Sequence, residues 1–117
     1  MPHRTANPVI VFNDAGRVVD ANEAAARMIG VKLADLRRMH LRDTFHPDEL
    51  AEGEERLRNM RVGERVRVER WLRCCDRRYK RVAVEGTRRA IGGYRAEFTI
   101  LSPEPVDLPS RLPLEQR

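Results

Sequence analysis

The first thirty residues constrain the fold more than any other part of the chain. Val9-Ile-Val-Phe12 and Arg17-Val-Val-Asp-Ala21 are short, mostly apolar runs separated by Asn13-Asp14-Ala15-Gly16, the pattern of a tight hairpin. Gly16 supplies the positive φ that the last position of a three-residue loop requires. Asn22 then stands where a helix N-cap accepts a hydrogen bond from an orphan N–H, and Gly30 where a left-handed residue closes the helix. A hairpin feeding a capped helix constrains the fold, and the fold class in turn excludes most chemistry.

Downstream, Leu33 and Leu36 within Lys32–Arg38 predict about two further helical turns, and Leu41–Phe45 another short turn. His46-Pro47-Asp48-Glu49 is a strong helix start, because proline loses nothing at the first helical position and two carboxylates complement the helix dipole. Leu50, Gly53, Leu57 and Met60 follow on one amphipathic stripe, with Gly63 as the stop. Gly53 on that stripe either lets the helix approach the sheet closely or leaves room for a ligand.

From Glu64 the period becomes two. Val66, Val68, Arg70, Leu72 and Cys74 share one strand face, and Arg65, Arg67, Glu69, Trp71 and Arg73 the other. Tyr79–Thr87 repeats the alternation, Gly92-Gly93 marks a second turn, and Tyr94–Leu101 makes a last strand. The order β-β-α-α-α-α-β-β-β predicts an α+β fold, a five-stranded antiparallel sheet with helices on one face. Residues 1–7 read as an N-terminal arm, 8–102 as the domain, and 103–117 as a Pro-rich tail or linker.

With 117 residues, the chain is expected to build one core. No apolar run approaches the ~20 residues of a membrane helix and the N-terminus lacks a signal-peptide core, so cytoplasmic residence is expected. Adjacent Cys74 and Cys75 cannot staple the chain, lack partners at metal spacing, and read as reduced strand cysteines. Neither a phosphate loop nor a nucleophile elbow is present. Glu52, Glu54 and Glu55 beside Arg56 and Arg58 read as a solvated helix face, so no catalytic or metal-binding residues are assigned. The net charge of +5 is uneven: residues 61–95 hold 12 basic against 4 acidic groups.

This ordered set of residues resembles a PAS domain over about Pro8 to Leu101. The resemblance is carried by Asn13-Asp14-Ala15-Gly16, Val19-Asp20-Ala21-Asn22, Ala25 with Gly30, the His46-Pro47-Asp48-Glu49 helix start, and Gly63 ahead of Val66-Arg-Val-Glu-Arg. Two features depart from the family pattern. Asp76 is followed by Arg77 where the family commonly has Asp-Gly, so that turn is expected to be longer or of another type. In addition, Thr99-Ile-Leu-Ser-Pro103-Glu-Pro105 breaks any helical stalk after the last strand.

The resemblance implies sensing and protein association in a bacterial signal-transduction or transcription-regulatory protein, with no enzymatic activity of its own. It also implies a possible ligand space between the long helix and the sheet. By periodicity, Met28, Phe45, Gly53, Leu57, Met60 and Val84 are the candidates to line that space. Heme-binding members commonly ligate through a histidine on the stripe that here holds none, so His40 and His46 are expected to cap and pack. Flavin adduct chemistry needs a cysteine in the helical middle, and both cysteines lie in the strands. No cofactor is evident, heme and flavin are not expected, and the resemblance leaves room for a small ligand of unknown identity.

Trp71 lies out of phase with the valines and is expected to stand exposed amid Arg67, Arg73 and Arg81, as a cation–π or contact patch. This patch is assigned to homodimerisation or to docking of an effector domain or protein. Its alternative is an Arg-rich sheet face that grips nucleic acid. Interleaved Glu69 and Glu85, and aromatics at only 5%, favour the protein interface.

Overall fold

Three hairpins of one geometry build the sheet of this computed structural model, which describes residues 6–113. The residues at 1–5 of the expected arm and at 114–117 of the expected tail lie outside the described residues. In each hairpin the residue before a three-residue loop donates its N–H to the carbonyl four positions on: Asn13 to Arg17 (2.9 Å), Cys74 to Arg78 (2.8 Å) and Arg89 to Gly93 (3.0 Å). The last loop residue takes positive φ in all three: Gly16 (85°), Arg77 (68°) and Gly92 (98°). The expectation of a longer or different turn at Asp76-Arg77 is therefore corrected. Arg77 adopts the left-handed conformation, and the turn is held by Asp76, whose carboxylate accepts from the Arg78 N–H (3.0 Å) and Nε (2.9 Å). Those bonds, the backbone one foremost, hold the Asp76 carboxyl below the usual carboxylate range.

The strands are β1 (Val9–Phe12), β2 (Val18–Ala21), β3 (Arg65–Arg73), β4 (Tyr79–Arg88) and β5 (Tyr94–Val106). They form one antiparallel sheet in the order β2-β1-β5-β4-β3. Between β2 and β3 run α1 (Glu23–Ile29), α2 (Leu33–Leu36), a 3-10 turn at Leu41–Asp43, and α3 (Pro47–Arg58). Asn22 caps α1 by accepting from the Ala25 N–H (3.0 Å), and Gly30 closes it at φ 89°. α2 is one turn, shorter than expected, because past Leu36 the backbone tightens into three-residue turns, with the Arg38 N–H bonding the Asp35 carbonyl and the Met39 N–H the Leu36 carbonyl (both 3.0 Å). α3 ends at Arg58, ahead of both Met60 and Gly63.

The sheet is closed at its centre by β1 against β5, which joins the two ends of the chain. Gly93 makes this seam possible. A Cβ there would fall on the Phe12 carbonyl oxygen, and the Gly93 N–H donates to Asp14 Oδ1 (3.0 Å). Asp14 also pairs with Arg88 (3.1 Å), whose guanidinium lies 4.7 Å from the Tyr94 ring centroid. Inward-facing Ile10, Phe12, Val82, Val84 and Phe98 meet Ala25, Ile29, Leu36 and Phe45 in one core on the helical side.

β5 runs to Val106, past the expected end at Leu101. It pairs with β1 only through Glu97, so Pro103 and Pro105 fall where that side of the strand has no neighbour to receive an N–H. Beyond the strand the chain folds back onto the start of α3, and Leu112 is buried.

Opposite outcomes are expected for two turn substitutions in urea unfolding. Gly93→Ala should cost at least ~2–3 kcal/mol by opening the β1–β5 seam. Arg77→Gly should gain ~0.5–1 kcal/mol, the left-handed strain relieved less the added chain entropy.

Candidate functional site

The site is built around α3, the longest helix. His46 caps it: the Nδ1 accepts from the Asp48 N–H (3.1 Å), Pro47 occupies the first helical position, and Asp48 and Glu49 complete an acidic first turn. The segment leading into it lies along the free edge of β3. The Arg73 N–H donates to the Thr44 carbonyl (2.8 Å) and the His46 N–H to the Trp71 carbonyl (3.1 Å). Past α3, Met60 is buried and the Gly63 N–H bonds the Arg88 carbonyl (2.9 Å). The helix is thus pinned to the sheet at both ends.

Between those pins it spans a gap. Leu50 and Leu57 are only half-buried, and a Cβ at Gly53 would meet nothing within 4 Å. Gly53 is thus not a point of close approach between helix and sheet. Beneath it lies a cavity of about 80 Å³, walled by α3 on one side and by Val66, Val68, Val84, Gly86 and Ala96 of the sheet on the other. Phe12, Leu41 and Phe45 close one end, the last with its ring stacked 6.1 Å from that of Phe98. Charges stand at the rim, namely Glu49, Glu54, Arg56, Arg70 and Arg95. Arg70, largely buried, reaches from β3 to Glu52 of α3 (3.3 Å). The hydrogen bond from Arg56 (3.0 Å), with the Arg70 charge, holds the Glu52 carboxyl below the usual carboxylate range.

Of the six residues expected to line this space, Phe45, Gly53, Leu57, Met60 and Val84 do so. Met28 does not. It belongs to the core at the far end of α1, and its carbonyl accepts from Lys80 Nζ (2.9 Å). Val66, Val68 and Arg70 were legible as inward-facing but were not singled out.

Glu49 is the residue that sequence reasoning passed over. It is buried, its Oε1 accepts from the Trp71 N–H (2.7 Å), and its Oε2 lies 3.9 Å from Arg81 Nη1. The Arg81 guanidinium in turn lies 4.9 Å from the Trp71 ring centroid. Glu49 thus joins α3, the edge of β3 and the outer sheet face. The available signal was its position three residues after the cap, the acidic place of a capping box.

Trp71 is not exposed as expected but half-buried beneath Arg81, to which its position is directly opposed across the β3–β4 ladder. Arg67, Trp71, Arg73 and Arg81 share the outer face by alternation, Arg67 exposed and Arg73 half-buried. Arg65 pairs with Glu85 (3.7 Å) and Arg81 with Glu69 (3.7 Å), so the face alternates in charge rather than forming a continuous basic track.

His40 and His46 each use the two ring nitrogens on the backbone. His40 Nδ1 accepts from the Arg42 N–H (3.1 Å) while Nε2 bonds the Ala15 carbonyl (2.7 Å). His46 does the same with Asp48 and the Pro109 carbonyl (2.7 Å). Among the described residues no three His, Cys, Asp or Glu side chains cluster to hold a metal, and no helix is long and apolar enough to cross a membrane. Cys74 is buried, which pushes its thiol pKa up, whereas Cys75 is exposed. Filling the open position on α3 has a definite expected outcome: Gly53→Ala should raise stability by ~0.5–1 kcal/mol in thermal or urea unfolding, because helix entropy is recovered without a clash.

Comparison with known proteins agrees with this architecture. None of the curated proteins is similar enough to match. Among solved structures, the chain is similar to the PAS domain of an HTR-like protein from Haloarcula marismortui (14% identity, TM-score 0.73, 81% of each chain covered). It is similar to the PAS domain of the Cronobacter turicensis quorum-sensing receptor RpfR in complex with BDSF (13%, 0.70, 87% of this chain and 100% of that one). It is also similar to the ethanol-complexed PAS domain of a LuxR-family transcriptional regulator from Burkholderia thailandensis (16%, 0.66, 81% and 88%). The family model described as PAS fold matches residues 1–100. With the sheet order, the helical layer and this match in agreement, the chain belongs to the PAS family.

Proposed function

We propose that this chain is a non-enzymatic sensory module that admits a small apolar ligand beneath α3 and reports its presence through the contact patch around Trp71. The observation that carries the reading is Glu49. One carboxylate, on the helix that roofs the cavity, touches both the Trp71 backbone and the space beside Arg81. A ligand that raises or tilts α3 must move Glu49, and Glu49 cannot move without disturbing the Trp71 N–H and the Arg81–Trp71 stack. The ligand's differential affinity for the two positions of α3 sets how far the equilibrium shifts.

The chemistry of the wall sets the ligand class. Apolar side chains face one another across about 80 Å³, less than the ~150 Å³ of an engineered cavity known to hold benzene. Short, largely apolar molecules fit, and the rim arginines Arg56, Arg70 and Arg95 suit one that ends in an oxygen. One of the similar PAS domains is complexed with ethanol, a molecule of that kind. The receiving partner is a second copy or an effector domain: a half-buried tryptophan under an arginine, edged by alternating charge, suits a protein interface.

Trp71 is the chain's single tryptophan, so its fluorescence reads the patch directly. Titration with 1-butanol is expected to give a saturable shift in emission and a rise in melting temperature. Glu49→Ala should keep the thermal stabilisation and lose the emission shift. Sedimentation velocity should show Trp71→Ala weakening self-association or capture of the effector domain. Absence of any saturable stabilisation would remove the sensing half, and unchanged association in Trp71→Ala the output half.

A further inference from the structure

We propose that residues 107–113 form a strap latched to the first turn of α3, and that lifting α3 from the cavity opens the latch. The strap begins on the sheet, where Val106 of β5 pairs with Tyr79 of β4. It ends on the helix. The Pro109 carbonyl accepts from His46 Nε2 (2.7 Å), and the Leu112 N–H donates to Asp48 Oδ2 (2.6 Å). Leu112 is 3% exposed while Ser110, Arg111 and Pro113 around it are exposed, so among the described residues of the strap Leu112 is the fully buried one, inserted as a peg.

The placement of these contacts makes the strap a device rather than a packed tail. Its origin is fixed to β4, and its attachments belong to the turn that starts the cavity's roof, so it spans the joint between sheet and lid. His46 serves both sides of that joint. It is fully buried, its ring lies 5.0 Å from that of Tyr79, and its two nitrogens cap α3 and hold the strap. A tilt of α3 that releases its first turn from the β3 edge carries Asp48 away from a strap that cannot follow, because Tyr79 and Val106 hold its other end. The latch is confined to one helical turn while the strands are paired along their length, so it is suited to opening while the sheet stays intact. The freed segment is the form in which α3's position becomes visible outside the cavity.

The coupling half of this proposal rests on the cavity being the sensing site, whereas the latch itself does not. Amide hydrogen exchange of the whole chain, followed by NMR, tests both. The Leu112 amide is expected to be protected in the wild type, to exchange at least tenfold faster in Asp48→Ala with the β4 and β5 amides unchanged, and to stay protected in Asp48→Asn, which keeps an acceptor. Gly53→Phe, whose ring is too large for the cavity, should lift α3 and speed Leu112 exchange to a similar extent, while Gly53→Ala should not. Gly53→Leu replaces the phenylalanine variant if that one does not fold. A Leu112 amide unprotected in the wild type, or unaffected by Asp48→Ala, overturns the latch. A strap that stays protected in Gly53→Phe while Trp71 emission reports a displaced α3 overturns the coupling. If instead the strap opens in Gly53→Phe but no small molecule binds the native chain, the latch stands and the sensing reading fails.

Discussion

The free edge of β3 is the constraint from which the rest of the site follows. An edge strand offers unpaired N–H and C=O groups, and here the chain entering α3 takes them up. The Thr44 carbonyl, the His46 N–H and the Glu49 carboxylate engage Arg73 and both backbone groups of Trp71. Because these contacts are made with a strand paired along its full length to β4, the first turn of α3 is set on a rigid support. The helix that follows must then cross the sheet at the height its anchored ends impose. With glycine at its middle and half-buried leucines on either side, it does not fill the space below.

The same anchoring places charge where it can transmit position. Glu49 is a buried carboxylate whose hydrogen-bond partner is a backbone N–H and whose nearest guanidinium, that of Arg81, is engaged through its face with Trp71. Removing one partner from such a set leaves the others desolvated and unsatisfied, which is costly in a protein interior. The cluster therefore behaves as a unit. By contrast the pairs of Arg65 with Glu85 and Arg56 with Glu52 are solvent-exposed and contribute little to stability. On the outer face it is the Arg65–Glu85 pair, with that of Arg81 and Glu69, that breaks up the positive charge.

How much of this was legible in the chain depended on the range of the interaction. The opening hairpin, the Asn22 cap and the α3 stripe are local, and Gly16, Gly30 and the His-Pro-Asp-Glu start announce them. Five of the six cavity residues followed from helical and strand periods alone. Met28 did not, because periodicity assigns an inward face without saying which compartment lies beneath it, and α1 sits over the core rather than the gap. Glu49 was hidden because its partner is 22 positions away on a strand edge, a contact that no period encodes. Arg77 misled because its side chain disfavours the conformation that its hairpin imposes, with Asp76 holding the turn from the preceding position. The strap was invisible because four prolines erase any period, although proline on an edge is compatible with an ordered strand.

The cavity beneath Gly53 is the feature on which the sensing reading depends most directly, and methyl NMR under xenon pressure measures it without assuming a natural ligand, since xenon enters dry apolar cavities. Saturable shifts are expected at Leu57, Met60, Val66, Val68 and Val84, with Val19 and Leu101 of the outer face unmoved. Uniform small shifts linear in pressure, or none at the α3 and sheet methyls, would mean that helix and sheet close on one another and that no ligand space exists there.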